Sequence, residues 1–273
     1  MKKIVKVALF LLLNAWLLSS AQALTTFPQS ALVPSTEYYT NNLGTAAVMT
    51  GGGNAANIGG TRNDDGFSGP INLGFTLNFF GGSYTQFWAN NNGNISFTGG
   101  ISAYVPTGPL GASVPIISPF FADVDTRTSV GLMYVQHDDP NQWIITWDQV
   151  GRYNQHATPT DSFQLVLRGP GYAVPAGEGT IGFFYRDMGW DVTDTSTTAA
   201  IGFGNGLGDG VVLEGSNTPG MAGVVANHHT WFVGEIPTPI PPDGSQVPEP
   251  GTLTLLGTGL LGLWGMARRR GRK

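Results

Sequence analysis

Residues 71–97 contain the stretch that decides the fold. It begins with INLGFTLNF (71–79), in which an apolar side chain stands at every second position: Leu73, Phe75, Leu77 and Phe79. Alternation of this kind predicts a half-buried β-strand. The stretch ends with YTQFWANNNGNISF (84–97), where Asn-Gly lies between two apolar runs. This pair predicts a β-hairpin with a type I′ turn, which needs positive φ at both central positions.

Short apolar runs separated by Gly, Pro, Asn and Asp recur beyond this hairpin. They predict strands at 115–121, 131–136, 142–147, 162–168, 180–185, 199–203, 211–213 and 230–233. Within 162–168, Gln164 and Arg168 should face away from the apolar side chains. No segment of twelve residues outside the two termini has a clean helical period. The sequence therefore predicts an all-β fold, an antiparallel β-sandwich or barrel-like domain.

The composition agrees with a folded β-domain. The chain has 40 glycines, which suits many tight turns, and its 7 Trp, 8 Tyr and 15 Phe argue against disorder. It has no cysteine. Stability must therefore come from the hydrophobic core rather than from disulfides, and thiolate metal sites and cysteine nucleophiles are excluded.

The N-terminus predicts a secretory signal peptide over residues 1–23. Lysines open the chain, an apolar run follows at 7–18, and small residues stand at Ala21 and Ala23, the positions that a signal peptidase reads. A buried or amphipathic helix of the fold is the alternative. The order of basic, apolar and cleavage regions favours a signal helix and export through the Sec machinery.

The C-terminus, 247–273, predicts membrane sorting. Its uncharged segment 251–267 would span about 25 Å as a transmembrane helix, and the basic tail 268–273 should stay cytoplasmic, leaving 24–246 outside. A core helix is the alternative, but one cationic end suits it poorly. The charges of the tail are Arg268, Arg269, Arg270, Arg272 and Lys273. The residues that precede the apolar segment are Val247, Pro248, Glu249 and Pro250.

A Pro-Glu-Pro motif, an apolar Gly- and Leu-rich span and an Arg-rich end, in that order, resemble the PEP-CTERM sorting signal of Gram-negative bacteria. The resemblance implies recognition by an exosortase, a membrane cysteine transpeptidase, with cleavage near 248–250. The helix would then be a transient inner-membrane anchor. The mature protein would reach the cell surface or extracellular matrix.

Charge narrows the choice of partners. Residues 24–250 contain five arginines, no lysine and all 18 acidic residues of the chain, which gives a net charge of −13. Such a domain repels phosphate backbones, so nucleic-acid binding is excluded. It also repels anionic polysaccharide unless divalent cations bridge the two.

The organisation of the outer chain resembles a nidogen-type (NIDO) domain over 71–235. The most specific piece is SPFFADVDT (118–126), followed by GLMY (131–134). Residues 24–70, rich in turn signals, would be an N-terminal extension of this β-domain, and 236–246 a Pro-rich, semi-rigid linker. The resemblance implies a surface or matrix protein linked to cell–matrix adhesion, without established catalytic residues.

Two carboxylates are candidate metal ligands. Asp123 and Asp125 are two residues apart, so on a strand they would share a face, and hard oxygen ligands suit calcium. Alternatively they cap the turn to Gly131 and pair with Arg127. The segment Asp64-Asp65-Gly66 is interpreted as a turn.

Other clusters are weaker candidates. Asp187, Asp191 and Asp194 surround Trp190, which suggests either a carbohydrate site with a stacking ring or a loop with one packed aromatic. The pair 228–229, two histidines on one strand, faces opposite sides and cannot readily chelate one metal. Glycosidase carboxylates come from distant positions and stay open.

Together these observations predict an exported, non-enzymatic surface or matrix protein. It would be adhesive or associated with biofilm exopolysaccharide, and it needs no cofactor. A calcium-dependent carbohydrate-binding module is the first alternative and a polysaccharide hydrolase the second.

Overall fold

The computed structural model describes residues 24–107, 111–240 and 242. This part of the chain is all-β, as predicted, with two sheets and only short helical turns. None of its helices has the length and apolar character needed to cross a membrane. The predicted signal helix and the predicted helix over 251–267 lie outside the described residues.

The strands, numbered in chain order, are β1 (Leu24–Phe27), β2 (Val33–Pro34), β3 (Thr45–Ala46), β4 (Met49–Gly52), β5 (Gly66–Ser68), β6 (Ile71–Phe79), β7 (Gly82–Asn90), β8 (Asn94–Ser96), β9 (Ile116–Phe121), β10 (Val124–Asp125), β11 (Leu132–Asp139), β12 (Gln142–Arg152), β13 (His156–Arg168), β14 (Ile181–Met188), β15 (Ala200–Gly204), β16 (Gly210–Leu213), β17 (His228–Val233) and β18 (Thr238–Pro239). Within the described residues the helical segments are 3-10 turns at Gln29–Ala31 and Ala55–Asn57 and one α-helix, α1 (Met221–Val225).

The first sheet has the order β1-β16-β15-β9-β8-β7-β5-β4, and β6 pairs with β7. The second has the order β18-β17-β14-β13-β12-β11-β3, with β10 on β12 and β2 on β17. Neighbouring strands are antiparallel except β1 and β16, which run parallel. The chain changes sheet between β9 and β10, so the segment 122–123 joins the two layers.

Side chains of both sheets form one continuous core. Phe203 of β15 stacks on Phe183 of β14 with ring centroids 5.2 Å apart, which joins the two layers. Trp147 of β12 stacks on Phe163 of β13 at 5.0 Å. Burying each such ring contributes roughly 1.5–3 kcal/mol, so the core stabilises the domain without disulfides.

The predicted strand pattern is confirmed at β6, where Leu73, Leu77 and Phe79 are buried and Phe75 is partly buried. The strands predicted beyond the hairpin also form, and several extend further than expected. β13 begins at His156 rather than Ser162.

The hairpin of β7 and β8 forms, but its turn differs from the prediction. Asn90 pairs with Asn94, so the loop has three residues, and of these only Gly93 has positive φ, at 74°. A three-residue loop ending in a left-handed glycine replaces the type I′ turn. A Cβ at Gly93 would lie 1.8 Å from the Phe120 carbonyl oxygen, so glycine is required there.

The outer face of the second sheet is covered by the segment that precedes β3. Gln164 is buried there, and its Nε2 donates to the carbonyl of Thr40 at 2.9 Å. Tyr39 packs beside it on Phe184 and Trp231. Residues 24–70 thus supply β1–β5 and a cover for polar side chains on the face that the sequence pattern placed opposite the apolar one.

The beginning of the predicted linker also belongs to the sheet. β18 pairs with β17, and the amide of Ile240 donates to the Trp231 carbonyl at 2.8 Å. The side chain of Ile240 packs on the same aromatic cluster, which explains why the chain stays docked up to this residue.

Candidate functional site

A cleft of about 240 Å³ opens where the chain crosses between the sheets. Its lining residues are Asp65, Tyr104, Asp123, Tyr153 and Thr195. Asp123 lies in the crossover between β9 and β10. Asp64 and Asp65 lie just before β5, and Asp64 forms an antiparallel bridge with Asp125 of β10. Strand pairing therefore brings together carboxylates that are about sixty positions apart.

Three side chains form what we call the acidic triad: Asp64, Asp65 and Asp123. Each offers a carboxylate oxygen, and the three oxygens lie within 4.8 Å of one another. Asp123 is 2% exposed and Asp64 9% exposed, whereas Asp65 is half-buried. At this separation two negative charges repel by roughly 3 kcal/mol at an effective dielectric constant of about 20.

Two triad oxygens are buried without a hydrogen-bond donor. Oδ1 of Asp64 and Oδ1 of Asp123 accept no hydrogen bond from the described residues. A buried, unpaired carboxylate oxygen is unfavourable and demands a proton or a cation. The remaining triad oxygens are partly held by the protein. Arg127 Nη2 contacts Asp64 Oδ2 at 2.9 Å, and Asn92 Nδ2 donates to Asp65 Oδ1 at 2.7 Å.

Burial raises the pKa of Asp123 to about 7, and the neighbouring charges of Asp65, Asp64 and Asp125 add to this effect. Burial also raises the pKa of Asp64 to about 6, again with repulsion from Asp125 and Asp65. The pKa of Asp65 is raised by burial as well, although its hydrogen bond from Asn92 opposes the change. The ionised form of the triad is therefore unfavourable in the folded protein unless a cation is close by.

Asp125, the second predicted ligand, is engaged elsewhere. Its Oδ1 accepts from the backbone amide and Nε of Arg127, both at 2.9 Å, and its Oδ2 accepts from Arg127 Nη2 at 2.5 Å. Oδ2 also accepts from the Gln155 amide at 2.9 Å. The pairing with Arg127, which the sequence offered as the alternative to calcium, holds for Asp125 but not for Asp123.

The turn between β7 and β8 holds the acidic segments in position. Asn92 Oδ1 accepts from the amide of Val124 at 3.0 Å while its Nδ2 holds Asp65, so one side chain links both acidic loops. Asp65 itself has φ of 63°, in the left-handed region that Asp enters more readily than most residues. Arg62 donates to the carbonyls of Thr126 and Gly131, at 2.9 and 3.0 Å, and so fixes the loop after β10.

Two tyrosines stand at the rim of the cleft. Tyr104 is 45% exposed and Tyr153 37% exposed. Exposed aromatic rings beside fixed carboxylates can stack on an apolar ring face while the carboxylates bind polar groups or a cation. The triad oxygens are closer together than the roughly 5–5.5 Å between the carboxyl groups of retaining glycosidases.

The other predicted clusters do not assemble into sites. Trp190 is buried and donates to the Val150 carbonyl at 3.2 Å, so it offers no stacking surface. Asp191 Oδ2 accepts from the amides that begin α1, and Asp194 pairs with His156 at 2.7 Å. His229 stacks on Phe184, in keeping with a packing role.

Sequence reasoning missed Asp64 and Asp65 as partners of Asp123. The turn predicted at 64–66 does not form: Asp64 bridges to Asp125, Asp65 lies in a bend and Gly66 begins β5. No spacing rule joins these two carboxylates to a residue so distant in the chain. The only signal was the neighbouring Asp-rich segment at 123–125, whose pairing with residue 64 requires the sheet topology.

Comparison with known families accounts for most of the chain. The family model described as "NIDO related" matches residues 33–234. The chain belongs to the NIDO-related family. The match begins upstream of Ile71 and includes four of the five strands in residues 24–70, namely β2 to β5.

A second model, the PEP-CTERM protein-sorting motif, matches residues 246–270. It confirms the sorting signal and marks an exported protein of the cell surface or extracellular space. The predicted cleavage residues Ala21 and Ala23, the helix 251–267 and the basic tail 268–273 all lie outside the described residues.

Alpha-tectorins are among the similar proteins. The mouse protein is 29% identical over 198 residues, 59% of this chain and 9% of its own length. The chicken protein is 26% identical over 231 residues, 71% and 10%, and the human protein 28% over 198 residues, 59% and 9%. The chain thus spans about a tenth of the length of these curated relatives. No solved structure matches it.

Proposed function

We propose that this protein is a non-enzymatic adhesive component of the bacterial surface or biofilm matrix, released to its final location by an exosortase. One observation carries the proposal: a NIDO-related domain over 33–234 is followed directly by a PEP-CTERM motif over 246–270. The resemblance of the first to nidogen-type domains implies a role in adhesion. The second is a protein-sorting signal.

The charge of the domain restricts how it can bind an exopolysaccharide or other surface polymer. A lysine-free, acidic domain does not adhere to anionic polymers by simple attraction. Binding must then use neutral sugars, or cations that bridge the two surfaces. The cleft with its carboxylates and two tyrosines is the place where either mode is best served.

Deleting residues 248–250 tests the sorting step. The intact chain should yield a shortened mature protein in the surface or matrix fraction, whereas the deletion should accumulate uncleaved in the inner membrane. Deletion of 243–245, equal in length but ahead of the motif, is the matched control and should be processed normally. Unchanged mass and location after loss of 248–250 would refute exosortase processing.

Adhesion needs a separate experiment. A strain that lacks the protein should retain less exopolysaccharide and form less biofilm, and the wild-type chain should restore both. The chain without 248–250 should restore neither, although it folds equally well. Full biofilm mass in the strain that lacks the whole protein would argue against an adhesive role, and it would not affect the result of the sorting experiment.

Calcium-dependent carbohydrate binding is a second candidate, and the acidic cleft with its two rim tyrosines favours it. Retention on immobilised glycans in calcium, lost in a chelator, would support it. The same assay can detect new reducing ends. Their release by the wild-type protein would indicate a polysaccharide hydrolase instead.

A further inference from the structure

We propose that Asp64, Asp65 and Asp123 bind one calcium ion at the base of the cleft. The proposal concerns the metal alone and does not depend on sorting or adhesion. It replaces Asp125, which the sequence suggested as a ligand, with two residues of the loop before β5.

The spacing of the triad suits one ion. Calcium binds oxygen at about 2.3–2.6 Å, so two oxygens on the same ion are at most roughly 5 Å apart. The triad oxygens lie within 4.8 Å of one another. They come from two loops, which is usual for a site closed by tertiary structure rather than by one contiguous motif.

The unpaired oxygens of Asp64 and Asp123 indicate a place where a cation can bind. Asp123 is almost completely buried and lines the cleft, yet its Oδ1 has no hydrogen-bond donor among the described residues. Oδ1 of Asp64 is in the same situation. Acidic groups kept for structure alone are expected to be paired, as Asp125 is with Arg127.

The surroundings orient the ligands. Arg127 occupies Oδ2 of Asp64 and leaves Oδ1 to the ion, and Asn92 occupies Oδ1 of Asp65 and leaves Oδ2. Such outer contacts fix ligating carboxylates in position. The single guanidinium of Arg127 cannot neutralise four carboxylates, so the triad with Asp125 keeps an excess of negative charge that a divalent cation would reduce.

The ion would link the two layers of the fold. Asp65 leads into β5 of the first sheet, and Asp123 stands where the chain passes from β9 to β10 of the second. The open side of the ion would face Tyr104 and Tyr153, where water or a ligand hydroxyl can complete the coordination. Calcium, which accepts 6–8 oxygens in flexible geometry, fits this arrangement better than magnesium.

Calcium itself is the probe for the test. The exported protein, purified as the cells process it and stripped with a chelator, is titrated with CaCl₂ by calorimetry. We expect a dissociation constant near those of extracellular modules, about 10⁻⁴–10⁻³ M. At a calcium concentration about ten times the dissociation constant, the melting temperature should rise by about 3–5 °C. Terbium bound in place of calcium should luminesce on excitation of the nearby tyrosines.

Three Asp→Asn variants complete the test. D123N and D65N should each weaken calcium binding at least about tenfold. Loss of a direct ligand should cost no less than loss of a residue that only orients a ligand, for which about tenfold is the lower limit. D187N is the matched control, because Asp187 is 80% exposed and does not line the cleft, and it should bind calcium as the wild type does. In chelator, D123N should melt no lower than the wild type, because it removes an unpaired buried charge.

Two results would overturn the proposal. One is a wild-type protein that shows neither heat nor a melting shift at roughly ten times the upper expected dissociation constant. The other is wild-type calcium affinity in D65N, which alters a half-buried residue and should fold whatever becomes of D123N.

Discussion

Arg168 and the acidic triad are both buried charges, but the protein treats them in opposite ways. Arg168 is 1% exposed and every one of its guanidinium nitrogens has a partner. It donates to Gln142 Oε1, to the Gly179 carbonyl and to the Tyr39 hydroxyl, and it pairs with Glu178 at 2.5 Å. Three aromatic rings surround it, namely those of Tyr39, Tyr172 and Trp231.

The triad has the reverse arrangement: like charges close together, unpaired buried oxygens and an opening to solvent. A buried charge with all its partners in the protein serves the fold, because nothing else is needed to stabilise it. A buried charge that lacks partners serves a ligand or a proton. The difference separates structural from functional groups in a protein that has few charged residues.

The largest effect should come from Arg168→Met. The change keeps the volume of the side chain but leaves the Gly179 carbonyl and Gln142 without their donor. We expect a loss of about 3–5 kcal/mol in the free energy of unfolding, measured by urea denaturation, and the same loss with or without calcium.

Arg186→Met is its matched control. Arg186 is one-third exposed, its guanidinium lies 4.5 Å from the centre of the Tyr38 ring, and its ion pair with Asp187 is long, at 4.0 Å. Its replacement should therefore cost no more than about 1 kcal/mol. Equal losses in the two variants would show that the burial of Arg168 confers no special role. The proposed difference between buried charges with and without partners would then not hold for Arg168.

Asp125 and Asp123 allow a sharper contrast, because they are neighbours with opposite environments. Asp125→Asn should cost about 2–3 kcal/mol, since an amide group cannot accept all the hydrogen bonds of Arg127 and Gln155. Asp123→Asn, measured in chelator, should be neutral or stabilising by the order of 1 kcal/mol. Similar losses from both would mean that Asp123 has a partner that the fold conceals.

The same pair shows how far the sequence alone reached. Alternation and turn residues predicted the strands because both reflect local rules, and the Asn-Gly hairpin formed at the expected place. The partners of Asp123 were not predictable, because Asp64 reaches it only through a bridge to β10. The pattern put Gln164 on the face opposite the apolar side chains but could not show that this face is covered, because the segment around Thr40 that buries it is 124 residues away.

The pH dependence of stability should reveal the triad directly. With pKa values of about 6 for Asp64 and about 7 for Asp123, against 3.8 ordinarily, the folded chain keeps protons that the unfolded chain has released. In chelator, stability should therefore fall as the pH rises from about 4 to about 7, by at least about 1 kcal/mol. Calcium displaces those protons, so urea midpoints measured in calcium should fall less.

Asp161 provides the background for this measurement. Burial raises its pKa well above the ordinary value, and it should add a slope of the same sign in both conditions. In the Asp161→Asn variant, the fall of stability with pH that remains in chelator should come from the triad. Calcium should reduce this remaining fall. A stability that rises with pH across this range in chelator would contradict the raised pKa values of the triad.

The smallest effect on stability should come from Tyr104→Ala at the rim of the cleft. Tyr104 is 45% exposed, so its loss should change the free energy of unfolding by less than about 0.5 kcal/mol. The calcium-dependent melting shift should also persist, because the ring supplies no charged ligand. Terbium luminescence should fall, because one nearby donor is removed. If glycan retention falls in parallel, the loss must come from a missing contact and not from unfolding, and the open side of the cleft is then the adhesive surface. Unchanged retention together with a normal calcium response would confine the triad to holding the two sheets together.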